Sequence, residues 1–329
     1  MKRRTFTLAA AGAVGWFSTP WLPVGSPPSF GSIEHVFLSM PLVAAPLALL
    51  LLRELVEPPE RPVRLYRAAM RIQPVAALMV LASFLIAKGH LAGVLILGWL
   101  VMSLLIAMGG ARLARRSKRP RRANPTLIAA HVFLPVGAVW LLFSRLGVRP
   151  LHYSALTVLL AALHFHFSGF TLQVLVAATG RALRDSASRL RTAHRWIAIG
   201  TIAGIPLIAA GNALSSPGVK VVGVAPMVLA VSGIAATTAI VALRSSSPIV
   251  RGLLLVSACS IATGMAVAGV YGAGEFAGQA WIGIPTMVKI HGFLDALGFT
   301  VCGLAAHLQT RPSLRVAVTP ASLLASRAE

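Results

Sequence analysis

Nine stretches of this chain are apolar over about 20 residues each, at 32–52, 72–88, 91–109, 126–144, 152–178, 195–213, 219–243, 250–271 and 285–309. A helix needs ~20 such residues to cross a hydrocarbon core of ~30 Å, where its amides can be satisfied only within the helix itself. The spacing therefore predicts an all-α fold, a polytopic transmembrane bundle of about nine spans. The second stretch is short and ends at Lys88-Gly89-His90, which predicts a tight hairpin with the third. Pro41, Pro46, Pro135, Pro206 and Pro226 fall inside spans. They would break a soluble helix but are tolerated in a bilayer when neighbours satisfy the freed carbonyls. Ala107-Met108-Gly109-Gly110 and the run from Gly264 to Gly269 suit close contact between helices. No internal repeat is visible, which weighs against an inverted-repeat transporter.

Charge sharpens this picture. Charged residues make up only 12% of the chain, about half the fraction of a soluble domain, and mean hydropathy is +0.80. The charges present are 30 Lys and Arg against 8 Asp and Glu, a formal net of +22. Such an excess suits nucleic acid in a soluble protein, but here the arginines sit between apolar runs and aromatic residues are few, so no nucleic-acid partner is expected. Sorted by loop, the cations alternate. Arg53, Arg61, Arg64, Arg67 and Arg71 share one loop, and Arg112, Arg115, Arg116, Lys118, Arg119, Arg121 and Arg122 another. Arg181, Arg184, Arg189, Arg191 and Arg195 follow, then Arg244 and Arg251, then Arg311, Arg315 and Arg327 in the tail. The intervening loops carry only Lys88, then Arg145 and Arg149, then Lys220, then none. The rich loops and the C-terminus are therefore expected in the cytoplasm of a multi-pass cell-membrane protein.

That orientation puts Glu34 on the outer side, while Met1-Lys2-Arg3-Arg4 belongs in the cytoplasm. The first 31 residues read as a signal-like segment, a signal-anchor span if retained. Residues 32–309 form the membrane domain and 310–329 a cytoplasmic tail. Cys259 and Cys302 lie within apolar runs, which excludes a disulfide scaffold or a cysteine-rich zinc site.

An ionisable group inside a span costs roughly 2.5–3.5 kcal/mol on insertion scales and requires a reason. Of the acids, Glu54, Glu57, Glu60, Asp185, Glu275 and Glu329 fall in loops or the tail. Glu34 sits at the outer mouth, and only Asp295 lies near the midplane. His291 precedes it by four residues, the helical spacing that brings two side chains together. Such a pair can orient a proton-transfer group or a metal-binding imidazole, or can be a neutralising structural pair. The fifth span carries His164-Phe165-His166-Phe167-Ser168-Gly169-Phe170. On a regular helix His164 and His166 point about 200° apart, so both reach one metal only if the helix unwinds. The phenylalanines could shape a lipophilic pocket or simply pack. By depth His164, His166, His291, Asp295 and Glu34 occupy the outer half, whereas His131 lies near the inner end and reads as structural. His35 and Asn212 are also near the outer face.

At these residues the chain resembles the YndJ-like family of bacterial multispanning membrane proteins. The likeness rests on Ile33-Glu34, Pro41-Leu42-Val43 and Pro46-Leu47 in the first span. It continues through Gly137-Ala138-Val139-Trp140-Leu141 and Ser144-Arg145-Leu146-Gly147. Its most specific pieces are the His164–Phe170 segment and His291-Gly292 with Ala296-Leu297-Gly298-Phe299. It covers roughly residues 32–309 and implies a fold and a grouping of residues, not an activity. The family pattern carries Asn where this chain has Asp295, a change from amide to acid inside the membrane.

The expected function is an integral membrane enzyme acting on an isoprenoid- or polyketide-like substrate by proton-initiated cyclisation or isomerisation. Asp295, His291, His164, His166 and Glu34 are the expected acid–base residues. Phe165, Phe167, Phe170, Phe299 and Asn212 are expected to contact substrate, with membrane lipids as surroundings and no metal or cofactor. Two other readings remain open: a His-ligated metal or haem redox protein, and a proton-coupled transporter.

Overall fold

The computed structural model describes residues 1–21, 31–56, 64–116, 124–214 and 216–310. Arg61, Lys118, Arg119, Arg121, Arg122, Glu57, Glu60 and the tail from 311, with its arginines and Glu329, lie outside the described residues. Among those described there is no strand. Helix α1 is Lys2–Ser18. Among the described residues, nine further helices are long and apolar enough to cross a membrane: α2 Ser32–Val56, α3 Arg64–Leu85, α4 His90–Arg116, α5 Pro125–Leu146 and α6 Ala155–Ala182, then α7 Ser188–Ala213, α8 Pro217–Leu243, α9 Pro248–Phe276 and α10 Ile284–Gln309. The short second stretch of apolar residues extends back to Arg64, so α3 reaches full length with Pro74 inside it.

Helix α2 is the axis of the bundle, its span 94% buried against 28–50% for the others. Its residues from Val36 to Leu52 are apolar on every side apart from Ser39, as a helix surrounded by other helices must be. The caps follow the sequence. Asn124, Ser154, Ser216 and Ser247 each accept a hydrogen bond from a backbone N–H in the first turn of α5, α6, α8 and α9. Gly147, at φ 78°, closes α5 in the left-handed conformation that glycine adopts without strain.

Side-chain contacts sort the loops onto two ends. At the arginine-rich end, Lys2 Nζ donates to Leu308 O at 2.8 Å and lies 3.3 Å from Glu54. Arg181 donates to Glu54 O at 3.0 Å, and Arg244 to Ser186 Oγ at 2.5 Å. At the arginine-poor end, Lys220 pairs with Glu275 at 2.6 Å. There Trp16 Nε1 donates to His35 O at 2.7 Å, with the indole stacked on the imidazole at 4.3 Å. Helix α1 thus runs alongside α2 from one end to the other. It packs so tightly that a Cβ at Gly12 would strike Leu42 O.

Three helices widen locally to π geometry: α2 at Met40–Ala44, α6 at Phe165–Thr171, and α10 at Val288–Gly292 and Leu294–Val301. A widened turn leaves carbonyls without their i+4 donor, and hydrocarbon supplies no substitute. Side chains supply it here. Pro46 has no N–H to give back along α2, and Gln73 Nε2 of α3 donates to Pro41 O at 2.8 Å. Thr171 Oγ1 donates to Phe167 O at 2.8 Å within α6, and Ser257 Oγ of α9 to Phe299 O of α10 at 2.9 Å.

Candidate functional site

His291 and Asp295 both stand on the widened part of α10, against α9. His291 Nδ1 lies 3.0 Å from Gly264 O and 3.3 Å from Asp295 Oδ2. A carbonyl can only accept, so Nδ1 carries the hydrogen and the carboxylate shares it. No hydrogen bond engages His291 Nε2 among the described residues. Asp295 Oδ1 is buried, with no hydrogen-bond partner among the described residues. The glycines of α9 and α10 make this approach possible. A Cβ at Gly264 would collide with Asp295 Oδ1, and one at Gly298 with Ser260 Oγ. Gly264 was legible beforehand only as part of a small-residue run.

The two histidines of α6 separate. His166 is fully buried and turns toward α4 and α2. Trp99 Nε1 donates to His166 Nε2 at 2.8 Å, and His166 Nδ1 donates to Ala162 O at 2.7 Å. An indole N–H only donates, so the tautomer is fixed and neither ring nitrogen is free. Phe37 meets the ring edge-on at 5.3 Å. His164 is exposed. Its Nδ1 donates to Leu160 O at 2.7 Å, its Nε2 has no partner among the described residues, and it lies within electrostatic range of His291.

Glu34 lies in the first turn of α2 at the arginine-poor end. Arg145, at the same end, lies within electrostatic range of its carboxylate. No described hydrogen bond links Glu34 to His291 or Asp295. Next to it, Thr19 Oγ1 and His35 Nδ1 are 3.0 Å apart, and His35 faces Phe293 of α10 at 5.9 Å. Phe167, Phe170 and Phe299 are buried in the packed core, and Phe165 lies against Phe133 of α5 at 5.8 Å. Asn212 is in the last turn of α7, with no described contact to the pair. From other elements, Gly264 of α9 touches the pair, and His164 of α6 lies within electrostatic range of His291. Among the described residues no three His, Cys, Asp or Glu side chains converge to hold a metal ion.

His131 is buried on α5. Its Nδ1 meets Leu127 O at 2.5 Å and its Nε2 takes the hydrogen of Tyr66 at 2.7 Å, tying α5 to α3.

The profile of the YndJ-like family matches residues 35–299, from the second turn of α2 to the middle of α10. This chain belongs to the YndJ-like family. It is also similar to an uncharacterized membrane protein YndJ of Bacillus subtilis (strain 168), 24% identical over 225 residues, which are 68% of this chain and 39% of the relative. The chain thus matches about two fifths of that relative's length. No solved structure matches. The family match contains His164, His166, His291 and Asp295 and leaves out α1 and Glu34. It establishes a membrane protein of the YndJ-like family and carries no activity with it.

Proposed function

We propose that this membrane protein carries out acid–base chemistry on a lipophilic molecule within the bilayer, at Asp295. The observation that carries the reading is Asp295 Oδ1, a buried carboxyl oxygen with no internal partner beside an oriented imidazole. Buried polar atoms are nearly always paired, and intramembrane acids mark functional sites.

In this reading the Asp295 carboxyl gives a proton to a carbon–carbon double bond, leaving a carbocation. His291 holds the carboxyl in place through Nδ1 and is the positioning residue. His164 Nε2 then removes a proton from an adjacent carbon, and the product is an isomer of the substrate with every atom conserved. If the cation is first captured by a second double bond of the same molecule, the product is cyclic. Phe293 and Phe165 would face the cation with their rings. His166 acts from behind by keeping α6 against α4, and Glu34 stands at the entrance. The arginine-rich end faces the cytoplasm of a cell membrane, by the usual bias of basic loops.

Lipid extracts from cells that express the wild-type protein in deuterated water test this. A neutral lipid isomer that appears only with the wild type and carries one solvent deuterium is expected, and Asp295→Asn should abolish it. If wild type and Asp295→Asn give the same lipid profile, the assignment fails. Proton uptake coupled to solute movement in proteoliposomes, lost in Asp295→Asn, would instead identify a proton-coupled carrier.

A further inference from the structure

Apart from the His291–Asp295 site, the arginine-rich end holds a groove between α1, α2 and α3. It has a volume of about 220 Å³. Arg4, Arg67 and Arg71 stand around it, and Leu8, Leu49 and Met70 form its apolar wall. A second, more open concavity of about 360 Å³ continues along α3, bounded by Arg64, Arg67, Ala68 and Arg71. Positions 64, 67 and 71 follow one face of a helix, so three guanidinium groups line up over its first two turns. All four arginines are exposed, and no ion pair joins any of them to a carboxylate among the described residues. The acid close by, Glu54, is already engaged by Lys2. The groove therefore has concentrated positive charge at the rim, no carboxylate paired to it among the described residues, and an apolar slot beneath it.

We propose that this groove binds an anionic glycerophospholipid. Its phosphate would sit among Arg67, Arg71 and Arg4, and one acyl chain would follow Leu8, Leu49 and Met70. Arginine matches phosphate oxygens with paired N–H donors, and basic pockets between membrane helices take lipid headgroups in this way. A nucleic acid or acidic peptide would satisfy the rim and leave the apolar slot empty. A neutral lipid would do the reverse. Because α1 forms one wall, bound lipid would also fix α1 to α3 without a direct charge pair.

The full chain, stripped of lipid in a mild detergent and verified by intact mass to retain α1, should be titrated with phosphatidylglycerol and with phosphatidylcholine of the same chains, with binding read by native mass spectrometry. Phosphatidylglycerol should bind about tenfold more tightly or better. Arg67→Gln with Arg71→Gln should bring it to the phosphatidylcholine level. Arg112→Gln with Arg115→Gln, which removes as much charge from the same end, should leave it unchanged. Leu8→Trp, filling the slot with no change of charge, should weaken both lipids and carries the test if the arginine variant does not fold. Glycerol phosphate, which has no chain, should not compete at equal concentration. Equal binding of the two phospholipids, equal loss in both arginine variants, or full competition by glycerol phosphate would each overturn the proposal.

Discussion

Asp295 and Gly264, on neighbouring helices, approach so closely that a single methyl group cannot be added between them. The same glycine supplies the carbonyl that orients His291, at 3.0 Å. One backbone position on α9 therefore sets both members of the pair on α10.

Gly264→Ala tests that dependence. Its Cβ would displace the Asp295 carboxyl and press on His291 Nδ1 at 3.3 Å. Overpacking of this kind costs about 1–3 kcal/mol. A lowered melting temperature in detergent is expected, together with loss of whatever activity Asp295→Asn abolishes. Gly252→Ala, on the same helix with open space around it, should change neither.

Asp295→Asn should separate function from folding. The amide has nearly the volume of the acid, and Oδ1 has no internal bond to lose. The unfolding midpoint should stay within about 1 kcal/mol of wild type while the deuterium-labelled product disappears. A large loss of stability would show instead that the carboxyl is a structural element.

Much of this arrangement was legible in the sequence. Apolar run length sets the spans, the loop arginines set the two ends, and the four-residue spacing of His291 and Asp295 is realised as contact. The division between His164 and His166 was only half legible. Their divergence follows from helical rotation, but which one is buried depends on Trp99, 67 positions away in sequence. Likewise, nothing near Asp295 signals that Gly264 is its neighbour. The phenylalanines were ambiguous because an apolar ring has the same signature in a core as in a pocket. Phe167, Phe170 and Phe299 are buried among other side chains. Widened turns also escape sequence periodicity, since one extra residue in a turn leaves the apolar run unbroken.

The two histidines of α6 should respond oppositely to truncation. His166→Ala removes a fully buried ring and strands the Trp99 indole N–H without an acceptor. Cavity and orphaned donor together predict a loss of about 3 kcal/mol or more. His164→Ala removes an accessible ring with one local hydrogen bond and should cost within about 1 kcal/mol. Melting curves in one detergent compare them directly. Activity should fall in His164→Ala at unchanged stability, and a stable His166→Ala would contradict its structural role.

Arg145 should be intolerant even of lysine. It is buried on α5, donates to Ser83 O at 2.7 Å, Ile86 O at 2.8 Å and Ser83 Oγ at 3.1 Å, and lies over the Phe84 ring at 4.7 Å. Ser83 passes the connection on to Ala92 O at 2.8 Å, and Gly89 N–H returns to Arg145 O at 2.9 Å. One planar guanidinium thus satisfies the carbonyls that end α3 and holds the α3–α4 hairpin to α5. An ammonium cannot reach three acceptors in that fork or lie flat on the ring. Arg145→Lys is expected to cost about 2 kcal/mol. Because the loss is local, hydrogen exchange should rise first at residues 83–92, before the rest of the bundle opens. Uniform exchange along the chain would mean that the hairpin is held by its apolar contacts and not by this cation.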